Sequence, residues 1–281
     1  MANVYYVDGQ FVADSEAVFP INDLGLLRGF GCFDFMRTYH GKVIFIREHV
    51  QRLLRSAAQI GIELPLSEEE LIQRVQETLR RNPPVESNIR ILVTGGSSKD
   101  FITPQGRPRL AIMVAPLTQY PAEWYRDGAR VTTVAYTRSI PGAKTIDYIR
   151  AILVLAEARQ KGAIEAVYVD AAGRVREGTT SNIFAFIGDR LVTPGADILN
   201  GVTRQKVLAL AKETCSVEVR DVARDELVRA DEVFITSSNR LIVPIVRVDD
   251  EVIGGGRPGE RTRALMQAFA AFTERLAQSC A

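Results

Sequence analysis

The sequence predicts an α/β protein of two domains, the first of them an α+β domain. At 281 residues the chain is long enough for two hydrophobic cores. Residues 1–115 combine strand patterns with helices that are grouped together, whereas the remainder alternates strands and helices. The stretch from Pro116 to Pro121 is the best linker candidate. We therefore predict a small N-terminal domain over 1–115, a linker over 116–125 and a large C-terminal domain over 126–281.

Turn dipeptides divide the N-terminal domain into hairpins. Apolar residues alternate on both sides of Asp8-Gly9 across residues 4–12, and such a dipeptide is a strong hairpin signal. The pattern recurs around His40-Gly41, with strands predicted over 32–39 and 43–46. Further strands are predicted over 89–94 and 109–115, on either side of a polar loop.

Two helices are predicted between these strands. Residues 47–60 place their apolar side chains on one face at helical spacing, and Gly61 follows as a terminator. Ser67 followed by Glu70 is a capping-box pattern, which begins a second helix that ends near Arg81, before two prolines.

The C-terminal domain is predicted to continue with strands and helices in alternation. Strands are predicted over 131–136, 166–169, 174–187, 232–236 and 241–248. Helices are predicted over 147–161, 201–214 and 260–278. The sequence contains no internal repeat and no glycine-rich nucleotide fingerprint.

Composition argues against several classes of function. The formal net charge is +1, so overall charge gives no support for a nucleic-acid partner. No apolar run reaches the roughly 20 residues that span a bilayer, and the first residues enter a strand pattern rather than a secretory signal. Three scattered cysteines and two histidines supply neither a disulfide framework nor a metal-ligand set. We expect a cytoplasmic protein without a membrane segment or a metal centre.

A lysine and a glutamate are the leading candidates for chemistry. The chain has six lysines, and only Lys144 falls where a strand is predicted to give way to a helix, a common place for functional groups. Glu177 lies in a strand pattern and is followed by Gly178 and four short hydrogen-bonding residues. By position alone, Lys144 can equally be a non-catalytic lysine and Glu177 a solvated acid.

Three further segments offer groups for an anion. The helix that begins at Gly201 has free backbone N–H groups near Thr203, which favour a phosphate, although most helix starts simply cap themselves. Ser237-Ser238 is an ordinary turn pair by default. Arg52 falls opposite the apolar face of its helix, and the pattern alone predicts a solvated side chain.

Together these segments resemble the fold type IV, or class IV, pyridoxal-phosphate-dependent aminotransferases. Lys144 matches the Schiff-base lysine of that family. Residues 174–184 match its "V-x-E-G-x-x-x-N-x-F" strand, residues 199–204 its "L-x-G-I-T-R" phosphate helix, and residues 48–53 its "H-x-x-R-L" segment. The resemblance covers nearly the whole chain, in order and at the right spacing.

The resemblance implies a role for each matching residue. Lys144 would hold pyridoxal 5'-phosphate and carry the proton at Cα, and Glu177 would pair with the pyridine nitrogen. Tyr148 would hydrogen-bond the cofactor phenolate. The phosphate would be held by Arg52, Val202, Thr203 and Ser238. The family also implies a cofactor site between the domains, and a homodimer in which small-domain loops of one subunit close the site of the other.

Departures from the family pattern bear on the substrate. The segment 28–34 reads Arg-Gly-Phe-Gly-Cys-Phe-Asp, with Arg28 in an aromatic slot and Phe33 where typical D-amino-acid transaminases carry a tyrosine. Their Arg/His carboxylate clamp is absent from the loop that follows Thr94, and Asn88 takes the place of a branched-chain enzyme's tyrosine. Guanidinium suits a carboxylate, so our hypothesis is that Arg28 and Arg90 form a replacement clamp. The pattern alone favours a solvated Arg28 and an ion-paired Arg90.

The resulting prediction is a transaminase that moves an amino group between a D-amino acid and a 2-keto acid, pyruvate or 2-oxoglutarate, by a Schiff-base ping-pong mechanism. The layout resembles an atypical group of D-amino-acid transaminases. Alternatives within the same resemblance are an L-branched-chain transaminase, a lyase of the aminodeoxychorismate type and a non-catalytic cofactor-binding protein.

Overall fold

The computed structural model describes residues 3–279 and forms two compact units. The first unit comprises Met1–Thr118, Gly142–Tyr148 and Leu276–Ala281, and the second comprises Gln119–Pro141 and Ile149–Arg275. Residues 142–148, which the sequence placed in the large domain, thus belong to the first unit, because they hydrogen-bond to one of its strands. Cys280 lies outside the described residues.

The first unit is a five-stranded antiparallel sheet with two helices against it, in the order β2-β1-β5-β4-β3. The elements are β1 (Val4–Val7), β2 (Gln10–Ala13), α1 (Leu24–Arg28), β3 (Gly31–Arg37), α2 (Ile46–Gln59), α3 (Glu68–Arg80), β4 (Ser87–Thr94) and β5 (Arg109–Pro116), with a 3-10 turn over Asp14–Glu16. The predicted α+β layout of this part of the chain is confirmed.

Local sequence signals account for most of these elements. Asp8 and Gly9 have φ angles of 44° and 98°, the positive values that a tight hairpin turn requires. The capping box at the start of α3 is present, with Ser67 accepting from the Glu70 amide and Glu70 accepting from Ser67. The apolar faces of α2 and α3 pack on the sheet around Leu53, Leu71 and other buried residues.

Two local predictions in this unit are wrong. Residues 43–46 form no strand, because the chain turns at His40-Gly41 through a single bridge between Tyr39 and Lys42 and then enters α2. The short helix α1 was not predicted. It is capped by the Asp23 side chain, which accepts from the Gly25 amide at 2.7 Å and from the Thr94 hydroxyl at 2.8 Å.

The second unit is a ten-stranded mixed sheet in the order β11-β10-β9-β13-β14-β6-β7-β8-β12, with β15 paired to β14. Its strands are β6 (Ala129–Ala135), β7 (Glu165–Val169), β8 (Arg174–Gly178), β9 (Asn182–Ile187), β10 (Arg190–Thr193), β11 (Ser216–Val219), β12 (Val222–Ala223), β13 (Glu232–Ser237), β14 (Leu241–Val248) and β15 (Glu251–Val252). Its helices are α4 (Glu123–Arg126), α5 (Ile149–Gln160), α6 (Val202–Ala211) and α7 (Arg224–Val228), followed by α8 (Glu260–Ser279), whose last residues belong to the first unit.

The single strand predicted over 174–187 is in fact two strands separated by a turn at residues 179–181. β8 pairs with β7, whereas β9 pairs with β13 and β10, so the turn moves the chain to a different part of the sheet. The apolar strand residues pack into one core, which includes the stacked rings of Phe184 and Phe234 at 4.8 Å. Within residues 3–279, none of the helices has the length and apolar character needed to cross a membrane.

Candidate active site

Lys144 lies in an extended segment that is attached to β3. The Phe33 amide donates to the Lys144 carbonyl at 2.9 Å, and the Ile146 amide donates to Gly31 at 3.1 Å. The Lys144 amide donates to the Ser56 hydroxyl at 3.0 Å. As predicted, Lys144 lies between a strand and a helix, β6 and α5. Because α5 begins only at Ile149, strand pairing with β3 rather than the helix positions this lysine.

Phe33 is the centre of a cluster in the first unit. Its ring is buried, and the Lys144 Nζ lies 4.6 Å from the ring centroid. The Arg90 guanidinium lies 4.8 Å from the same centroid, and the Tyr148 ring packs edge-on at 5.6 Å. Arg90 contacts aromatic rings rather than the ion-pair partner that its strand pattern suggested. The Phe33 ring thus contacts the candidate amine and two further residues that were predicted to bind substrate or cofactor, Arg90 and Tyr148.

Arg28 occupies a different position. It is exposed at the end of α1, and its Nη1 donates to the Leu27 carbonyl at 3.1 Å. No described contact joins it to Arg90, so the contacts within this chain do not assemble the predicted pair of arginines.

Arg52 is buried in an ion pair, so the prediction of a solvated side chain is wrong. Its Nε and Nη2 donate to the two carboxylate oxygens of Asp34, each at 2.8 Å. The His49 Nδ1 lies 2.7 Å from the same carboxylate. Asp34 is 0% exposed and Arg52 is 6% exposed. Sequence reasoning missed both partners of Arg52, although Asp34 lies in a motif segment and His49 is three residues from Arg52.

The electrostatics of this network favour one protonation state. Burial by itself would raise the pKa of Asp34, but Arg52 and His49 overcome that effect and hold the pKa of this carboxyl well below its usual range. Burial lowers the pKa of His49 against the opposing effect of Asp34. A neutral imidazole therefore donates to an ionised carboxylate. Burial and the neighbouring Asp34 raise the pKa of the Cys32 thiol to about 12, which leaves it unreactive.

Acid should destabilise the protein through His49. Because the pKa of His49 is lowered on folding, the unfolded chain binds the proton first, and the free energy of unfolding should fall as the pH drops through about 6.5, by at most about 1.4 kcal/mol per pH unit. Urea unfolding at pH 7.5 and 5.5 measures this. His49→Gln should flatten the slope, while His40→Gln, at the only other histidine, should retain it. Equal slopes in wild type and His49→Gln would contradict the assignment.

Glu177 lies in β8 and is 5% exposed, so it is not a solvated acid. The Arg138 Nε donates to Glu177 Oε1 at 2.8 Å, and the Leu199 amide donates to Oε2 at 2.9 Å. Arg138 also donates to the Pro141 carbonyl. Sequence reasoning did not single out Arg138, because no local pattern links it to a strand 39 residues later.

The phosphate candidates of the second unit lie at the start of α6. Gly201 is the N-cap and provides no side-chain cap, so the amides of the first turn are not satisfied in that way. A Cβ at position 201 would collide with Asn182 Oδ1, which explains the glycine, and the Asn182 Nδ2 donates to the Leu199 carbonyl at 2.8 Å. Thr203 is buried in this turn. Ser238 lies in the turn after β13.

The chemistry of these groups fits a phosphorylated pyridine aldehyde. The Lys144 amine can react with the aldehyde, and the buried carboxylate of Glu177 can accept a hydrogen bond from a ring N–H. The uncapped first turn of α6 suits a phosphate dianion, and so does the buried guanidinium of Arg52. Over residues 3–279 no cluster of histidine, cysteine, aspartate and glutamate is suited to a metal ion.

Comparison with known proteins identifies the family. A family model described as amino-transferase class IV matches residues 31–248. The chain is a class IV aminotransferase. A Bacillus licheniformis D-alanine aminotransferase is 32% identical over 268 residues, which are 93% of this chain and 94% of that protein. A proposed branched-chain-amino-acid aminotransferase of Methanocaldococcus jannaschii is 36% identical over 275 residues, 94% of each chain.

The solved structures give the same family and its cofactor. The T.th. branched-chain amino acid aminotransferase, solved with pyridoxamine 5'-phosphate, has a TM-score of 0.91 and 28% identity, covering 98% of this chain and 95% of that chain. Class IV aminotransferases use pyridoxal phosphate. The relatives of this aminotransferase are named for both D-alanine and branched-chain substrates, so family membership alone does not decide its enantiomer.

Proposed function

We propose that this aminotransferase exchanges amino groups between D-amino acids and a 2-keto acid such as pyruvate or 2-oxoglutarate. The observation that carries the proposal is the cluster at Phe33, where Lys144 and Arg90 lie 4.6 and 4.8 Å from one ring. A guanidinium suited to an α-carboxylate thus contacts the same ring as the amine that would act at Cα. Phe33 itself offers no hydroxyl to a carboxylate, so the arginine has to supply that contact.

The cofactor residues follow from the same proposal. When bound, pyridoxal phosphate supplies an aldehyde that takes up an amino group and a ring that accepts electrons from Cα. Lys144 would take the Cα proton, and Glu177, held by Arg138, would accept a hydrogen bond from the ring nitrogen. Tyr148 would donate to the phenolate oxygen. The phosphate would be bound by Arg52, Val202, Thr203 and Ser238.

The carboxylate clamp combines Arg90 with Arg28. Arg28 is exposed and has no described contact with Arg90, so we propose that it reaches the site of a second subunit. Arg28→Ala and Arg90→Ala should each raise the KM for pyruvate at least about tenfold, since a lost charged hydrogen bond costs about 1.5–3 kcal/mol. Cofactor content, read from visible absorbance, should stay unchanged.

Arg55→Ala is the control for the arginine variants, because Arg55 is exposed on α2 and belongs to neither proposed subsite. Unaltered KM values in both Arg28→Ala and Arg90→Ala would refute the clamp. Loss of bound cofactor in either variant would also contradict it, because that result assigns the arginine to the cofactor rather than to the substrate.

Transamination of L-branched-chain amino acids is the second candidate. The M. jannaschii relative and the T.th. structure support it by their names. Single enantiomers distinguish the two functions: D-alanine or D-glutamate, but not L-leucine, should change the visible absorbance of the bound cofactor, and the reverse result would refute our proposal. Release of pyruvate without any keto-acid acceptor would indicate a lyase instead.

A homodimer is part of the proposal, and α5 offers a surface for it. Ile149, Ile152 and Leu153 lie on one face of α5 and are 73%, 65% and 54% exposed. Ile152→Glu should therefore shift the molecular mass in light scattering from dimer to monomer, because a buried charge opposes association. Val252→Glu, at an apolar residue of β15 that is 50% exposed, is the control and should remain dimeric. A dimeric Ile152→Glu variant would exclude this face of α5 as the dimer interface.

The free thiols of Cys32 and Cys215 are compatible with a cytoplasmic location, which is also part of the proposal.

A further inference from the structure

Two turns of the second unit carry residues that we assign to opposite ends of the cofactor. The turn at residues 179–181 directly follows Glu177 and Gly178. The turn at residues 237–240 follows β13 and contains Ser238. β9, which leaves the first turn, pairs with β13, so Asn182 lies opposite Thr236 beside the second turn, whereas β8, which carries Glu177 into the first turn, pairs with neither β13 nor β14.

Glu165, at the start of β7, joins the two turns through its carboxylate. Oε1 accepts from the Thr179 hydroxyl and from the Ala166 amide at 3.2 Å. Oε2 accepts from the hydroxyls of Thr180 at 2.8 Å and Ser181 at 3.1 Å. The Arg240 Nη2 donates to the same oxygen at 2.6 Å. Every hydroxyl of the first turn and the arginine of the second turn therefore meet on one carboxylate.

Arg240 also makes hydrogen bonds that stabilise the second turn, to which it belongs. Its Nη2 also contacts the Thr180 hydroxyl at 2.6 Å, and its Nε lies 3.4 Å from the Ser237 hydroxyl. The Arg240 carbonyl accepts from the Tyr125 hydroxyl at 3.2 Å. Asn239 donates to the Tyr120 hydroxyl, and the Tyr120 ring packs against Trp124. The turn that contains Ser238 is thus held on both sides of that serine.

Both charges of this ion pair are buried, so each depends on the other for its stabilisation. Glu165 is 0% exposed and Arg240 is 5% exposed. Burial by itself would raise the pKa of Glu165, but Arg240 and the threonine hydroxyls lower it below its ordinary value, so the carboxylate stays ionised. A buried pair of this kind adds little net stability over apolar residues of similar volume, and its best-attested benefit is to specify one arrangement. A Cβ at position 178 would collide with Ser181, which shows how tightly the first turn is folded.

We infer that Glu165 and Arg240 are positioning residues for the cofactor. By tying the 179–181 turn to the 237–240 turn, they hold Glu177 and Ser238 at a fixed separation, so that one rigid frame meets the ring nitrogen and the phosphate together. This inference rests on the proposed cofactor-binding role of Glu177 and Ser238. Neither positioning residue touches the reacting atoms, and their effect is on the affinity and selectivity for the intact phosphorylated cofactor.

The test titrates full-length protein, freed of cofactor, with pyridoxal phosphate and separately with pyridoxal, which lacks the phosphate. Trp124 is the only tryptophan of the chain and supplies the fluorescence signal. Glu165→Gln and Arg240→Met should raise the Kd for pyridoxal phosphate at least about tenfold and raise the Kd for pyridoxal less, because only the phosphorylated ligand uses both ends of the frame. Arg240→Lys, which keeps the charge, should lie between wild type and Arg240→Met.

Glu232→Gln is the matched control. Glu232 is also a buried glutamate that accepts from a threonine hydroxyl, a backbone amide and an arginine, but its partners are Thr262 and Arg261 at the start of α8. It should lower thermal stability while leaving both Kd values within about twofold of wild type, since it lies at the opposite end of β13 from the second turn.

Three outcomes would overturn the inference. The first is a wild-type Kd for pyridoxal phosphate in all three Glu165 and Arg240 variants. The second is an equal rise in the Kd for pyridoxal phosphate and the Kd for pyridoxal. The third is a rise in Kd in Glu232→Gln that is as large as the rise in Glu165→Gln. Arg240→Lys keeps the test decisive if the other two variants fail to fold, because an unchanged Kd ratio in that variant alone refutes the frame. A wild-type protein that does not bind pyridoxal phosphate would refute the proposed function instead.

Discussion

Lys144→Ala should lower kcat for transamination by about a thousandfold or more, the loss expected when the group that moves a proton is removed from an active site. The effect is large because, in the proposed function, this one amine both holds the cofactor and moves the proton. The backbone of this segment is fixed by the hydrogen bonds to Phe33 and Ser56, and these bonds do not involve the Lys144 side chain. The variant should therefore fold normally and lose only the amine.

Single-turnover kinetics with D-alanine measure the effect, and borohydride reduction provides an independent readout. After reduction, the wild-type chain should carry a phosphopyridoxyl group on Lys144, whereas the variant should carry none. Lys161→Ala is the control, since Lys161 is an exposed lysine at the end of α5. A wild-type kcat in Lys144→Ala would show that another residue is catalytic, and it would refute the proposed function.

Asp34→Asn should lower the free energy of unfolding by about 3–5 kcal/mol, because it leaves the buried Arg52 without its counter-charge. It should also weaken cofactor binding, since Asp34 holds two of the guanidinium nitrogens of Arg52 and so sets where the remaining one points. Because folding lowers the pKa of Asp34, its contribution is complete at neutral pH and is lost as the pH falls below about 4.

Urea unfolding of wild type and Asp34→Asn at pH 7 and pH 3.5 measures this effect, and the difference between the two proteins should shrink in acid. Asp249→Asn is the control. Asp249 pairs with Arg224 at 2.6 Å, but that pair is partly exposed and lies in the second unit, so the loss should be about 1 kcal/mol. An equal free energy of unfolding for wild type and Asp34→Asn at pH 7 would show that the buried Asp34–Arg52 pair does not stabilise the fold.

Local patterns predicted the regular elements well and their interruptions poorly. α2, α3 and α8 were identified within a residue or two, because apolar periodicity and caps act over a few residues. The turn at residues 179–181 was missed because strand patterns flank it on both sides, although Gly178 and Ser181 are residue types that turns favour. The side chain of Glu165, 14 to 16 residues earlier in the chain, accepts hydrogen bonds from the three hydroxyls of that turn.

The sequence by itself determined the family and the cofactor. Lys144, Glu177 and the 201–204 segment are recognisable as motifs because each motif is contiguous and their order along the chain is specific. Only the tertiary structure decided which charges are buried and what they contact. Arg52 with Asp34, Arg138 with Glu177 and Arg240 with Glu165 are 18, 39 and 75 residues apart. An arginine opposite an apolar stripe is solvated unless a distant carboxylate meets it, and that meeting depends on how the strands pair.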